Sequence, residues 1–171
     1  MKKQIISAIA LCNPKSPSNV GAVMRAAGCY GASAIYYDGE RFERAEKYQQ
    51  DTQNRNEKTP LTKVDSFIDL KDKYEKIVCV ELVEGATALP LFEHPESALY
   101  VFGPEDGSIN KKIIKHADHV VYIPTIGCMN LAATVNVLLY DRMAKQSQDI
   151  DHDALIKQSR DANNHLSVNK K

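Results

Sequence analysis

Apolar and polar residues alternate in blocks along this chain, and the block lengths predict its elements. Ile5–Leu11 is a short apolar run closed by the turn cluster Asn13-Pro14-Lys15-Ser16-Pro17-Ser18. It reads as a buried strand leading into a loop. With Asn19 or Ser18 as its cap, a helix is expected to run to Gly28–Gly31, where glycines stop it. Ala34–Tyr37 is the next strand, and further strands are expected at Lys76–Leu82, Leu99–Phe102 and Val120–Ile123. Helices are expected at Ser66–Tyr74, Ile109–His116 and Asn130–Lys145, the last with Leu131, Val135, Leu138 and Leu139 on its apolar side. Shorter helices are expected near Glu43–Gln50 and Asp153–Arg160. Strands that alternate with helices predict an α/β domain, a mostly parallel sheet with helices on both faces. That domain is expected to occupy residues 1–145, with 146–171 as a polar tail.

Composition narrows the function classes. The chain has 171 residues, 43% hydrophobic and 26% charged, which suits one domain with a real core. Lys and Arg number 22 and so do Asp and Glu, so net charge argues neither for nor against nucleic acid. No stretch approaches the roughly 18 apolar residues of a membrane helix. The start, MKKQIISAIALCNP, reads as a strand and not a signal peptide, because Pro-Lys-Ser-Pro follows where small residues would mark a cleavage site. Cys12, Cys29, Cys79 and Cys128 are scattered with no C-x-x-C, which predicts reduced thiols in a cytoplasmic protein. His116-x-x-His119 lacks the further ligands a metal needs, so no metal is expected. The Gly-rich phosphate-binding fingerprints are absent, which argues against NAD and nucleotide triphosphates.

Parallel sheets bind ligands beyond the carboxyl ends of their strands. Three such ends are unusual: Leu11-Cys12-Asn13, Phe102-Gly103-Pro104-Glu105 and Ile123-Pro124-Thr125. Arg25 is the one charge between Val20 and Ala34. Its guanidinium cannot lose its proton, so it either snorkels to water, pairs with a carboxylate or faces an anionic substrate. Glu105 stands at a strand mouth, in either a ligand site or an exposed tight turn. Asn130 is a natural N-cap, with a second role only if its amide faces the site. The polar stretch Asp38–Lys63 is a solvated face or an RNA contact, with Tyr48 placed to stack on a base.

Three segments in order resemble the SpoU/TrmH family of RNA 2′-O-ribose methyltransferases, of the SPOUT superfamily. They are Asn19-x-Gly21-x-x-x-Arg25 with Gly31; Phe102-Gly103-Pro104-Glu105; and Ile123-Pro124 with Met129-Asn130-Leu131 and Leu139-Tyr140-Asp141. The resemblance implies a C-terminal trefoil knot, which general folding rules would not suggest. It implies S-adenosyl-L-methionine bound near Leu82, Gly103, Ile123, Cys128, Met129 and Leu131. It implies a homodimer in which Arg25 faces the partner's cofactor, an RNA substrate (tRNA ahead of rRNA), and Arg25, Asn19, Glu105 and Asn130 as catalytic residues. Arg25 would stabilise a developing alkoxide and hold the neighbouring phosphate; Glu105 would orient the guanidinium or another nearby group; Asn19 and Asn130 would position the ribose or the loops. The family usually has Ser where Cys128 stands, often Ser at Ala132, and Gly at Ser108. With its first strand at the chain start, this sequence is expected to be a minimal member without a preceding RNA-binding domain. A catalytically silent RNA-binding protein of the same fold is the alternative. An unrelated small-ligand Rossmann-like domain fits less well, given the missing phosphate motif.

Overall fold

A computed structural model describes residues 6–47, 59–146 and 149–168. Its strands are β1 (Ile6–Leu11), β2 (Ala34–Tyr37), β3 (Leu61–Lys63), β4 (Lys76–Val80), β5 (Thr87–Ala88), β6 (Ser97–Phe102) and β7 (His119–Tyr122). They form one sheet in the order β3-β2-β1-β6-β4-β7-β5, and every described pairing is parallel. In the second half, β4 lies between β6 and β7, and β7 between β4 and β5, so no strand from β4 onward sits beside its sequence neighbour.

Two-residue alternation dresses the two faces of this sheet. Ile9, Leu11, Ile35, Tyr37, Val78, Val80, Tyr100 and Phe102 point to one side. There they meet Val20, Val23 and Met24 of α1 (Pro17–Tyr30) and Leu131, Val135, Leu138 and Leu139 of α4 (Leu131–Lys145). Ala8, Ala10, Cys12, Ala34, Tyr36, Ile77, Cys79, Leu99 and Val101 point the other way, against Phe67, Leu70 and Tyr74. Ile113 and Ile114 of α3 (Lys111–His116) pack on that second face. Helical layers therefore cover both faces, as the alternation predicts. Burial on this scale contributes roughly 25 cal/mol for each Å² of apolar surface removed from water.

Local differences from expectation have local causes. Ser16, not Asn19 or Ser18, caps α1: its hydroxyl accepts from the Asn19 N–H, and Pro17 occupies the first turn. Proline is tolerated there because that N–H has no helical partner anyway. Gly31 ends the helix at φ 69°, a conformation glycine adopts without penalty. Where a helix is expected over residues 66–74, the structure has only a 3-10 turn at Ile68–Leu70 with i to i+3 bonds from Leu70 to Phe67 and from Lys71 to Ile68, while Phe67, Leu70 and Tyr74 are buried against the sheet. The helix expected near Glu43–Gln50 is α2 (Arg41–Glu46), and positions 48–50 lie outside the described residues. β3 and β5, with three and two residues, are too short to leave a periodic signal.

A buried polar network ties α4 to the segment before β6. Arg142, only 4% exposed, donates to the carbonyls of Pro95 (2.6 Å) and Glu96 (2.8 Å) and to the Tyr100 hydroxyl (2.7 Å). His94 bridges Tyr100 (2.7 Å) and Asp141 (2.8 Å). Lys145 Nζ donates to the carbonyls of Leu89 and Phe92. Beyond α4, α5 (His152–Ser159) is exposed along its length. Among the described residues, no helix is long and apolar enough to cross a membrane.

Candidate functional site

Register brings four strand ends to one edge. Leu11 pairs with Phe102, Phe102 with Val80, and Val80 with Val121. The loops leaving β4, β6 and β7 therefore open together, next to the start of α4. They enclose a cleft with about 740 Å³ of empty space, part of it open to solvent. Leu82, Gly103, Ile123, Cys128, Met129 and Leu131, the six positions that the resemblance puts at the cofactor, all line it. Apolar walls from Val80, Phe102 and Tyr122 accompany them. A Cβ on Gly103 would come within 3.3 Å of both the Ile109 N–H nitrogen and Glu81 Oε2, so only glycine leaves this wall its present width.

A chain of three side chains borders the cleft. Glu105 Oε2 accepts from the Lys15 N–H (2.9 Å), and its Oε1 accepts from the Ser16 N–H (3.1 Å) and from Asn19 Nδ2 (3.2 Å). Asn130 Nδ2 in turn donates to Asn19 Oδ1 at 3.0 Å. Asn130 Oδ1 caps α4 by accepting from the N–H groups of Ala132 and Ala133. Burial raises the Glu105 pKa, but the N–H of Lys15, its own N–H, the Asn19 amide and the Ser16 N–H outweigh it and leave it below the ordinary carboxylate value.

Arg25 stands apart from this chain. It is exposed and makes no hydrogen bond or ion pair with a described residue. Glu105 thus orients Asn19 and the α1 entry loop, not the guanidinium of its own chain. The six residues from Asn19 to Arg25 put the two about 120° apart around the helix. Arg25 shares the outward face of α1 with Ser18, Gly21, Ala22 and Cys29, all exposed. Of the three alternatives, exposure to water is the one observed, and among the described residues it leaves a permanent cation at the surface without a partner.

A second polar rim lies beside Glu105. Arg41 donates from Nε and Nη2 to the Asn13 carbonyl (3.1 and 2.6 Å) and from Nη1 to both Asp106 oxygens (2.9 Å each). This fork joins the loop after β1 to the loop after β6 and holds the Asp106 carboxyl below its usual range. The Asn13 N–H donates to Asp38 at 2.6 Å, while burial pushes the Asp38 carboxyl up.

Glu81, which sequence reasoning passed over as an interior strand residue, lines the cleft at the end of β4. Its Oε1 accepts from the Leu82 N–H (3.0 Å) and its Oε2 from the Ile109 N–H (2.9 Å). The only sequence signal was a carboxylate directly after an apolar strand. Other candidates fall elsewhere. His116 bonds the Lys112 carbonyl, Asp118 holds the Ile77 N–H, and His119 packs on Phe92, so this trio does not converge. Among the described residues, no group of three His, Cys, Asp or Glu is arranged for a metal. Tyr48 lies outside the described residues. Cys12 and Cys79 are buried, which raises both thiols, Cys79 to about 12. Cys29 and Cys128 are exposed.

Known proteins share this architecture. The model of the SpoU rRNA Methylase family matches residues 7–140. The SpoU methyltransferase AviRb from Streptomyces viridochromogenes, solved in complex with AdoMet, is 19% identical with a TM-score of 0.66, over 85% of this chain and 59% of that one. This chain therefore spans about three fifths of AviRb. The A. aeolicus TrmH/SpoU tRNA modifying enzyme is 20% identical with a TM-score of 0.68, over 84% of this chain and 77% of that one. A protein whose structure concerns the 2-OH methylation of C/U34 on tRNA is 19% identical with a TM-score of 0.65, over 85% and 93%. No curated protein matches the chain in sequence. Likeness at these identities establishes the fold.

Proposed function

The chain belongs to the SpoU rRNA Methylase family, and we propose that it is an S-adenosyl-L-methionine-dependent RNA 2′-O-ribose methyltransferase, with tRNA ahead of rRNA as substrate. One observation carries this reading: Leu82, Gly103, Ile123, Cys128, Met129 and Leu131 converge on one cleft, bordered by the Glu105–Asn19–Asn130 chain. The apolar walls suit an adenine ring, and backbone groups at Gly103 and Cys128 suit its polar edge and the ribose. The tRNA preference draws on the two tRNA-related structures among those of similar fold, one of which this chain matches over 93% of its length. A cytoplasmic location accompanies such a substrate. The interleaved order of β4 to β7 supports the knotted path that the family implies. Residues 1–145 form the methyltransferase domain in this reading, and 146–171 are an appendage.

The proposal includes a homodimer. Arg25 is exposed on α1 and is not among the described residues lining the cleft of its own chain. α1 and α4 pack together on one sheet face, and α4 leaves Val137 (38%), Tyr140 (58%) and Met143 (48%) exposed. Pairing through these outer surfaces buries that apolar stripe and carries Arg25 to the partner's cleft.

When bound, S-adenosyl-L-methionine supplies an electrophilic methyl carbon. Arg25 holds a phosphate beside the target ribose through its planar fork and stabilises negative charge growing on the 2′-oxygen. The phosphate, not the guanidinium, takes the proton, because the guanidinium already carries its full set of protons and has no acceptor to take another. Asn19 and Asn130 position the ribose or hold the loop entering α1 against the start of α4, and Glu105 anchors that loop through three N–H groups.

Two measurements test the reading. Calorimetry is expected to show S-adenosyl-L-methionine binding to the folded protein, and absence of binding would overturn the assignment. Mapping ribose methylation in total RNA, with and without the gene, is expected to lose signal at one tRNA position.

A further inference from the structure

Among the described residues lining the cleft, two are carboxylates, Glu81 and Glu105, and none is Lys or Arg. Neither carboxylate makes an ion pair with a described residue. Glu105 is exposed and spends its oxygens on Lys15, Ser16 and Asn19. Glu81 is half-buried at the end of β4, the strand between β6 and β7 beneath the cleft. Two backbone N–H groups hold it in place, and each of its oxygens keeps a lone pair for a further partner. Its Oε2 lies beside Gly103, which follows the neighbouring strand β6, and a Cβ on Gly103 would come within 3.3 Å of it. A partly desolvated charge with no counter-ion is costly unless a ligand brings one.

We infer that Glu81 is a specificity-determining residue that makes the cleft favour a cationic methyl donor over its uncharged product. The inference rests on the methyltransferase reading above. S-adenosyl-L-methionine carries a sulfonium, an ammonium and a carboxylate, a net charge of plus one by ordinary chemistry. Methyl transfer forms a C–O bond and breaks a C–S bond; the electron pair stays on sulfur and the hydroxyl proton leaves. The resulting S-adenosylhomocysteine is net neutral. A fixed carboxylate therefore attracts the donor more than the product and favours exchange after each turnover. At about 6 Å and an effective dielectric near 40, one such charge is worth on the order of tenfold in affinity.

Calorimetry on the full chain and its Glu81→Gln variant tests this with three ligands: S-adenosyl-L-methionine, the uncleavable amine analogue sinefungin, which is also cationic, and S-adenosylhomocysteine. Glu81→Gln is expected to weaken both cationic ligands about tenfold and the neutral one less than twofold. Equal weakening of all three assigns Glu81 to a shared part of the ligand or to structure alone, and overturns the inference, as does no weakening. Salt offers a second route should the variant not fold. In the wild type, rising ionic strength is expected to weaken the cationic ligands and spare S-adenosylhomocysteine, and parallel responses overturn the inference. Failure of the wild type to bind any of the three would sink the methyltransferase reading itself.

Discussion

Asn130 reaches across 111 residues of sequence to donate its side-chain amide to Asn19 Oδ1 at 3.0 Å, while its own Oδ1 caps α4. One side chain thus starts the last long helix and ties it to the first. Asn19 passes the link to Glu105, at the mouth of β6. Three loops at the cleft are held in register by three short polar side chains.

Capping and coupling at Asn130 separate by substitution. Asn130→Ala is expected to lose about 1 kcal/mol of stability, the usual worth of an N-cap. Asn130→Ser keeps a capping oxygen but is too short to reach Asn19. Denaturant titration is expected to show stability restored in the Ser variant, and a methylation assay to show activity still depressed. Full activity in the Ser variant would confine Asn130 to capping.

Arg25 is exposed and free of described partners, so Arg25→Ala is expected to change stability by less than about 0.5 kcal/mol. Methyl transfer is expected to fall on the order of a hundredfold, as for removal of a preorganised charge stabiliser. Lysine lacks the planar fork and is not expected to rescue it. A wild-type rate in Arg25→Lys would remove Arg25 from the mechanism.

The dimer is tested at Tyr140. Tyr140→Glu places a charge in the exposed apolar stripe of α4 and is expected to give a monomer in sedimentation velocity. Methyl transfer is expected to fall with dimerisation, because Arg25 then has no partner cleft to face. A monomeric and active wild type contradicts the arrangement.

Glu105 has a folded pKa below the ordinary value, so its contribution to stability is complete above about pH 4.5 and disappears as pH falls through the lower folded value. Thermal unfolding is expected to show Glu105→Gln less stable than wild type near neutrality, with the gap closing in acid. A gap that stays constant with pH would mean the carboxylate charge contributes nothing.

His94 behaves with the same sign. Burial lowers its pKa against the pull of Asp141, so the unfolded chain takes up the proton first. Stability is expected to fall as pH drops below about 6.5 towards the lower folded value, and His94→Gln to flatten that part of the profile. An unchanged slope in the variant would show that another group is responsible.

Much of the fold was legible in the sequence, for reasons visible at particular residues. The strand Ile6–Leu11 and the pairs Ile77/Cys79 and Val78/Val80 carry enough apolar surface to face both sides of a covered sheet. Asn130 is a strong helix start wherever it stands. The strand ends at Gly103, Ile123 and Asn13 were recognisable as turn chemistry after apolar runs. Less legible were the places where two good local choices compete: Ser16, Ser18 and Asn19 are all capable caps, and Pro17 decides in favour of Ser16 by occupying the first turn.

By itself, then, the sequence determined the longer strands and helices, because burial and capping act over a few residues, but not the short strands β3 and β5 or the 3-10 turn at Ile68–Leu70. It also determined the order of three motifs that mark the family. Only the tertiary structure decided the interleaved order of β4 to β7, the turning of Glu105 to Asn19 and away from Arg25, and the placing of Glu81 inside the cleft. Glu105 and Asn19 are 86 residues apart, and Asn19 and Asn130 are 111. Contacts of that separation have no local period to announce them. They form only when the whole sheet brings its strand ends to a common edge.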